Sequence, residues 1–275
     1  GSCPYVYLFD GKGYRYHTDL SGSVLAKGMD FFQPEFYGPN IYKLDGFRPH
    51  RGLYLMKARE VIYEASYFDS AALLVVDAPE GVQVYNTWSF TSQLGHEAER
   101  RFMTLQDPRP PVRATDSRGR DVREFLRGKD DRPLPVTEDG FSRVELDFGP
   151  LAHPEHAKLL ISAWGHYADF RGKQKPPYAA GTVIETRDDY GRWQVRLIGG
   201  KAAGDTRSWV VDLGGLLKAD DSRMRITMAH LPSVIDVLDA VALDDSPPVP
   251  VKVTRLTPTQ AFLRDEGAAT VRSPD

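Results

Sequence analysis

Along much of the chain apolar and polar residues alternate with a period of two, the spacing of a half-buried strand. Tyr5-Val6-Tyr7-Leu8-Phe9 and Tyr14-Arg15-Tyr16-His17-Thr18 flank Asp10-Gly11-Lys12-Gly13, and two such runs around an Asp-Gly turn predict a hairpin. From Leu20 to His50 Gly, Pro and aromatic residues show no period, which predicts a long, partly buried loop region. Strands are expected at Leu53–Lys57, Val61–Ala65, Ala71–Asp77 and Val82–Tyr85. They return at Ser142–Phe148 and Leu159–Trp164. Thr182–Thr186 and Arg192–Ile198 form a second hairpin around Asp188-Asp189-Tyr190-Gly191. Ser208–Leu213, Arg223–Met228, Ile235–Leu243 and Val249–Thr254 complete the set. Leu73, Val75, Leu160, Ile184, Val195, Ile226 and Val237, at the strand centres, are the expected core.

Helical signals are few. Glu97–Leu105 fits a short helix, stopped by the Pro residues at 108, 110 and 111. Thr257-Pro258 before Thr259–Glu266 and Gly267 has a cap, a first-turn Pro and a terminal Gly. About a dozen strands without βαβ alternation or a fixed repeat predict an all-β fold, an antiparallel sandwich or jelly roll. The expected organisation is a hairpin and loop segment at 1–50, a sandwich at 51–256 with an insertion at about 97–135, and a short helix with a tail at 257–275.

Charge sharpens the picture of that insertion. Glu97 to Pro133 holds 10 basic and 8 acidic residues among 37. Such density fits a binding excursion or a solvated insertion, and mixed sign favours the second. The segment from Asp107 to Pro135 is therefore expected to be mobile or ordered by a partner. A net charge of −3 and a pI near 6.2 argue against a general nucleic-acid binder. No apolar run is long enough for a membrane span, and one cysteine allows no internal disulfide. Gly1-Ser2 reads as the remnant of a cleaved tag, so the natural chain is expected to start upstream.

Cys3-Pro4-Tyr5-Val6-Tyr7-Leu8-Phe9-Asp10-Gly11 resembles the opening of a poorly characterised bacterial extracytoplasmic module, seen beside tetratricopeptide or ASPIC/UnbV-type regions. Looser similarity runs through Asp45-Gly46-Phe47-Arg48-Pro49, Glu64–Asp69, Leu74–Pro79, Val210–Leu216 and Ala261–Arg264. The resemblance implies an extracytoplasmic β module in the periplasm or at the cell surface, and no activity. Cys3 is a candidate for lipid anchoring if a leader ends just before it.

No catalytic signature emerges. His153-Pro154-Glu155-His156 puts two imidazoles on one face only if helical, and zinc needs further ligands. Asp130-Asp131, Asp188-Asp189, Asp220-Asp221 and Asp244-Asp245 are candidates for one structural calcium, although Asp pairs also suit turns. Gly-x-Ser-x-Gly and phosphate loops are missing.

Aromatics are the most informative group. Trp88, Trp164, Tyr167, Tyr178, Tyr190 and Trp193 fall at strand ends or in loops. Sugar rings stack on such residues, while neighbouring polar groups hold hydroxyls; ordinary core packing is the simpler alternative. Trp164, His166, Tyr167 and Asp169 form the best local group, with Tyr190 and Trp193 as companions. The leading expectation is a non-catalytic binding or assembly module of the cell envelope with a glycan or protein partner. A polysaccharide-acting enzyme with paired carboxylates and a structural subunit of a larger envelope complex are the alternatives.

Overall fold

A computed structural model describes residues 4–20, 41–60, 70–87, 90–92, 102–135, 141–167, 181–199, 204–229, 234–265 and 268–271. The strands begin with β1 (Tyr5–Phe9), β2 (Tyr14–Asp19), β3 (Met56–Arg59), β4 (Leu73–Asp77), β5 (Gln83–Asn86) and β6 (Phe90–Ser92). Next come β7 (Phe102–Leu105), β8 (Arg113–Asp116), β9 (Phe141–Asp147), β10 (Lys158–Tyr167), β11 (Gly181–Arg187) and β12 (Trp193–Gly199). The last are β13 (Gly204–Asp212), β14 (Met224–Ala229), β15 (Val234–Asp244), β16 (Lys252–Leu256), β17 (Phe262–Asp265) and β18 (Ala268–Val271). The described helical structure is two single 3-10 turns, Arg123–Phe125 and Pro154–His156.

The fold is all-β and sandwich-like. Strands β6-β12-β11-β14-β9-β8 form a six-stranded antiparallel sheet, and β13-β10-β15 a three-stranded one. Alternation sends one face of each sheet into a common core. Val144, Leu146, Met224, Ile226 and Met228 meet Leu159, Ile161, Trp209, Val211 and Leu243 there, all almost fully buried. Each large side chain contributes roughly 1.5–3 kcal/mol by leaving water.

Of the expected core residues, Ile184, Ile226 and Val237 are buried, whereas Leu73, Val75, Leu160 and Val195 are half-buried. Leu73 and Val75 belong to β4, whose sole ladder partner among the described strands is the exposed β16. Leu160 lies on the outer face of β10. At β12 an extra residue shifts the register between Ile184 and Glu185, so Leu197 faces the core while Val195 stands opposite Glu185.

The charged segment is not a loose insertion. Within 102–135, β8 closes one edge of the large sheet, and Ala114, Val122, Leu126 and Leu134 enter the core. Backbone bonds from Leu134 N to Leu238 O (2.6 Å), and from Val241 N to Leu126 O (3.2 Å), bind it to β15. Its charges pair locally, as in Asp116–Arg120, Asp121–Arg123 and Asp130–Arg132. The apolar anchors fall at irregular intervals, so neither strand nor helix period reveals them.

Both expected helices are corrected where they are described. Phe102–Leu105 is β7, paired with β5; residues 97–101 lie outside the described residues. Phe262–Asp265 is β17, in register with β18. A short helix must meet a costly nucleation step, and local caps alone do not offset it without a buried face. The strand expected at Val61–Ala65 also falls outside the described residues.

Candidate functional site

The N-terminal hairpin builds one wall of the site. Asp10 Oδ1 accepts the amides of Lys12 and Gly13, each at 2.8 Å, and Gly11 supplies the positive φ of the turn. These amides and Arg15 hold the Asp10 carboxyl well below the usual range. Val6 and Leu8 point to a buried face. Tyr5 and Tyr7 pack edge-on against Tyr16 on the other, at 5.4 and 6.0 Å, and Phe9 packs against Tyr14.

Polar contacts latch the hairpin to β13. Arg207 donates to the Asp19 carboxylate at 2.5 Å and to the Asp19 carbonyl at 2.7 Å, in a pair with each side chain only 9% exposed. The Asp205 amide donates to Asp19 Oδ1 (3.1 Å), and the Tyr16 hydroxyl to Asp205 Oδ2 (2.9 Å). Burial and this carboxylate push the Tyr16 phenol well above its ordinary value.

Between hairpin and small sheet lies a cleft of about 330 Å³. Its floor is the outer face of β10, β13 and β15, with Leu160, Ser162, Ser208 and Ala242. The Ser162 and Ser208 hydroxyls share a hydrogen bond of 2.7 Å. His17 and Thr18 line one side, Tyr42, Lys43 and Asp45 another, and Tyr85 and Asn86 a third. Arg127, Gly128 and Lys129 bring the charged segment to the rim. Lys43 Nζ stands 4.0 Å from the centre of the Tyr85 ring, and the Arg207 guanidinium 5.0 Å from that of Tyr42.

The 127–131 loop stands beside a buried carboxylate. Asp239 is the extra residue of a bulge in β15, between the pairs Ser162–Ala240 and Ala163–Leu238. It is fully buried, and neither of its oxygens has a hydrogen bond of ordinary geometry. Burial raises its pKa, and the Asp131 and Asp130 carboxylates add to the rise, while the amides of the same two residues oppose it.

The residues singled out from sequence fall in three places. Trp164 lies on β10, on the same face as Leu160 and Ser162 by alternation, and is half-buried. His166 and Tyr167 end that strand, opposite Ile235 and Val234. Tyr190 stands at the tip of the β11–β12 turn, 83% exposed, with Arg192 over its ring. Trp193 opens β12, with the guanidinium groups of Arg225 and Arg187 at 4.0 and 4.9 Å from its ring centre. The tip is tied by Asp189 to Lys218, after β13, whose end pairs with Lys158 at the start of β10. Tyr190 and Trp193 therefore lie toward the Lys158 end of β10, whereas His166 and Tyr167 form its other end. Asp169, Trp88 and Tyr178 lie outside the described residues.

Other candidate groups serve the fold. His153 and His156 flank Glu155 on a 3-10 turn, their ring centres 6.1 Å apart. Among the described residues no three His, Cys, Asp or Glu side chains are grouped to hold a metal ion. Asp188 accepts the Tyr190 and Arg192 amides in its turn, and Asp221 pairs with Arg223. Asp244 accepts the amides of Gln106, Asp107 and Ser246 and lies 3.5 Å from the buried Lys158 ammonium. Asp245 binds Arg109 and the Ala152 and His153 amides.

The cleft's own cations and tyrosines do not stand out in the sequence. They come from separate segments between Tyr42 and Arg207 and share no motif. One local signal exists: Arg207, itself buried, precedes the buried run Trp209-Val210-Val211. No family model, curated protein or solved structure matches this chain. Among the described residues no helix is long and apolar enough to cross a membrane.

Proposed function

We propose that the protein is a non-catalytic binding module that holds a segment of glycan in the cleft beneath its N-terminal hairpin. One observation carries this reading: about 330 Å³ of open space brings two tyrosine rings together with the hydroxyls of Thr18, Ser162, Thr206 and Ser208. A sugar offers apolar ring faces and a rim of hydroxyls, and this lining offers both complements. Glycosidic cleavage takes two carboxyl groups about 5–10 Å apart. Asp45 is the one carboxylate among the described lining residues, and Lys43 pairs with it at 3.4 Å. An extracytoplasmic setting at the bacterial envelope belongs to the same proposal, supported by the similarity of the Cys3–Gly11 opening.

A glycan array followed by calorimetry tests it. Tyr42→Ala and Tyr85→Ala should each weaken binding while keeping the parent's circular dichroism. Unchanged affinity in both would remove the cleft as the site. Loss on Trp164→Ala alone would move binding along β10. Release of new reducing ends from a bound polysaccharide would replace the binding reading by the enzymatic one.

A protein partner is the second reading. Tyr14 and Tyr16 are each about half exposed on one face of the N-terminal hairpin, beside the rings of Phe9, Tyr5 and Tyr7 and outside the cleft lining. Crosslinking to an envelope protein that survives Tyr85→Ala but not Tyr14→Asp would favour it.

A further inference from the structure

Resting on the glycan-binding reading, we infer that the cleft selects an acidic glycan and that Arg127 and Lys129 read its carboxylate groups. Lys43, Arg127, Lys129 and Arg207 all reach the lining, with His17 as a further basic group. Two of these charges are already committed. Arg207 is locked to Asp19, and Lys43 lies 3.4 Å from Asp45. Arg127 and Lys129 differ: among the described residues neither has a carboxylate within 4 Å. Among the described residues, Lys129 donates to the Thr206 carbonyl, at 3.4 Å. Arg127 acts on Asp121 at longer range, as one of several contributions lowering that carboxyl.

The surroundings give these two cations direction. Leu126, immediately before them, is fully buried, and its carbonyl accepts the Val241 amide. Beyond Asp130 and Asp131, the Leu134 amide donates to the Leu238 carbonyl of β15 at 2.6 Å. The short run Arg127-Gly128-Lys129 is therefore held at both ends against β15 and presents its charges at the cleft rim. This local excess of positive charge belongs to a chain whose net charge is −3. An anion meeting it is drawn to the cleft rather than to the surface at large. A guanidinium matches a planar carboxylate through two parallel hydrogen bonds, and an ammonium adds a second point charge. The neighbouring tyrosines and serine hydroxyls suit a sugar ring carrying that carboxylate. Free phosphate or a nucleic-acid backbone would use the charge and leave the rest of the lining idle.

Oligogalacturonate and hyaluronan oligosaccharides, each beside its methyl ester, are the probes, since esterification removes charge and keeps the sugar backbone. Calorimetry on the full chain should show at least one acid form binding about tenfold or more tighter than its ester, because hydrogen bonds to charged groups are the strong ones. That preference should shrink as salt rises from about 50 to 300 mM. Arg127→Ala with Lys129→Ala should abolish it and retain the parent's circular dichroism. Arg127→Lys should recover part of it, because the charge returns without the bidentate fork. An ester bound as tightly as its acid, or neutral sugars bound on the array while both acids fail, overturns the inference and leaves the glycan reading standing. Single-stranded DNA of equal charge binding as tightly as the acids also overturns it, as bare charge attraction. Failure of every glycan, neutral and acidic, removes the glycan reading itself.

Discussion

The sandwich and the N-terminal sheet are both antiparallel β structure, yet different forces hold them. In the sandwich, strands from two sheets interleave Val144, Leu146, Ile161, Trp209, Met224 and Ile226 into one continuous apolar cluster. In the sheet β2-β1-β3, Val6 and Leu8 are buried but stand outside that cluster, and every residue of β3 is exposed. Its described links to the sandwich are hydrogen bonds and one ion pair, through Asp19, Tyr16, Asp205 and Arg207. Apolar burial is non-directional and makes a closed interface. Polar latches fix two parts at chosen points and leave room between them, and the cleft occupies that room.

The largest effects should come from the buried polar bracket of the sandwich. Asp244→Ala removes the acceptor for three amides and leaves the Lys158 ammonium buried, held among the described residues by the Thr104 and Ser246 carbonyls. Breaking a buried pair from one side costs about 3–5 kcal/mol. A urea melt should show that loss; a change below about 1 kcal/mol would mean that the bracket is solvated. The same residues set an acid limit. Burial raises the Asp244 carboxyl, but Ser246, the Asp107 amide and Lys158 outweigh it, so the pKa lies below the ordinary value; Asp245 follows the same balance with Arg109 and the His153 and Ala152 amides. A lowered folded pKa gives stability that is present above the unfolded value of about 3.9 and fades as pH falls through the folded one. Denaturant midpoints should therefore fall below about pH 4 in the parent, and less steeply in Asp244→Ala.

Truncation of apolar residues should separate the two kinds of sheet. Leu159→Ala empties a fully buried site and should cost about 2–5 kcal/mol. Val253→Ala, in the exposed β16, should stay within about 0.5 kcal/mol. Equal costs would dissolve the distinction between core and peripheral strands.

This contrast also explains what was legible from sequence. Hairpins β1–β2 and β11–β12 follow directly from alternation around Asp-Gly and Asp-Asp-Tyr-Gly turns, since local chemistry decides both. Burial was less legible. Val75 has an ideal strand pattern but lies in a two-stranded ribbon, and Val195 is turned outward by one extra residue. Leu126 and Leu134 look like surface because charges surround them, yet they reach the core. The cleft was hidden for a related reason: Tyr42, Tyr85, Arg127 and Arg207 meet only through long-range pairing, which no local spacing encodes.

A smaller effect is expected at Gly214. A Cβ there would lie 2.6 Å from the Glu155 carbonyl oxygen and 3.2 Å from Asp212 Oδ1. The carbonyl belongs to the backbone of the 3-10 turn and cannot swing aside as a side chain would. Gly214→Ala should cost about 1–3 kcal/mol, through strain rather than lost burial. Melting indistinguishable from the parent would show that the turn at Pro154–His156 yields freely.

A weak effect on overall stability should come from Asp19→Asn, although it strikes the hairpin directly. The substitution keeps shape and some hydrogen bonding but removes the charge that faces Arg207 at 2.5 Å. Because Val6 and Leu8 are not part of the sandwich cluster, loosening the latch should open the hairpin without unfolding the sheets beneath. Such sub-global opening is read by amide exchange, since each amide reports the least costly opening that exposes it. Protection should fall roughly tenfold or more in β1 and stay within about threefold in β10, β11 and β14, with Tm lowered by no more than about 4 °C. Uniform loss across all four strands would show one cooperative unit and end the comparison drawn between burial and latching. Selective loss in β1 would show that the cleft wall moves independently of its floor, so that the space between Asp19 and β13 is set by the latch itself.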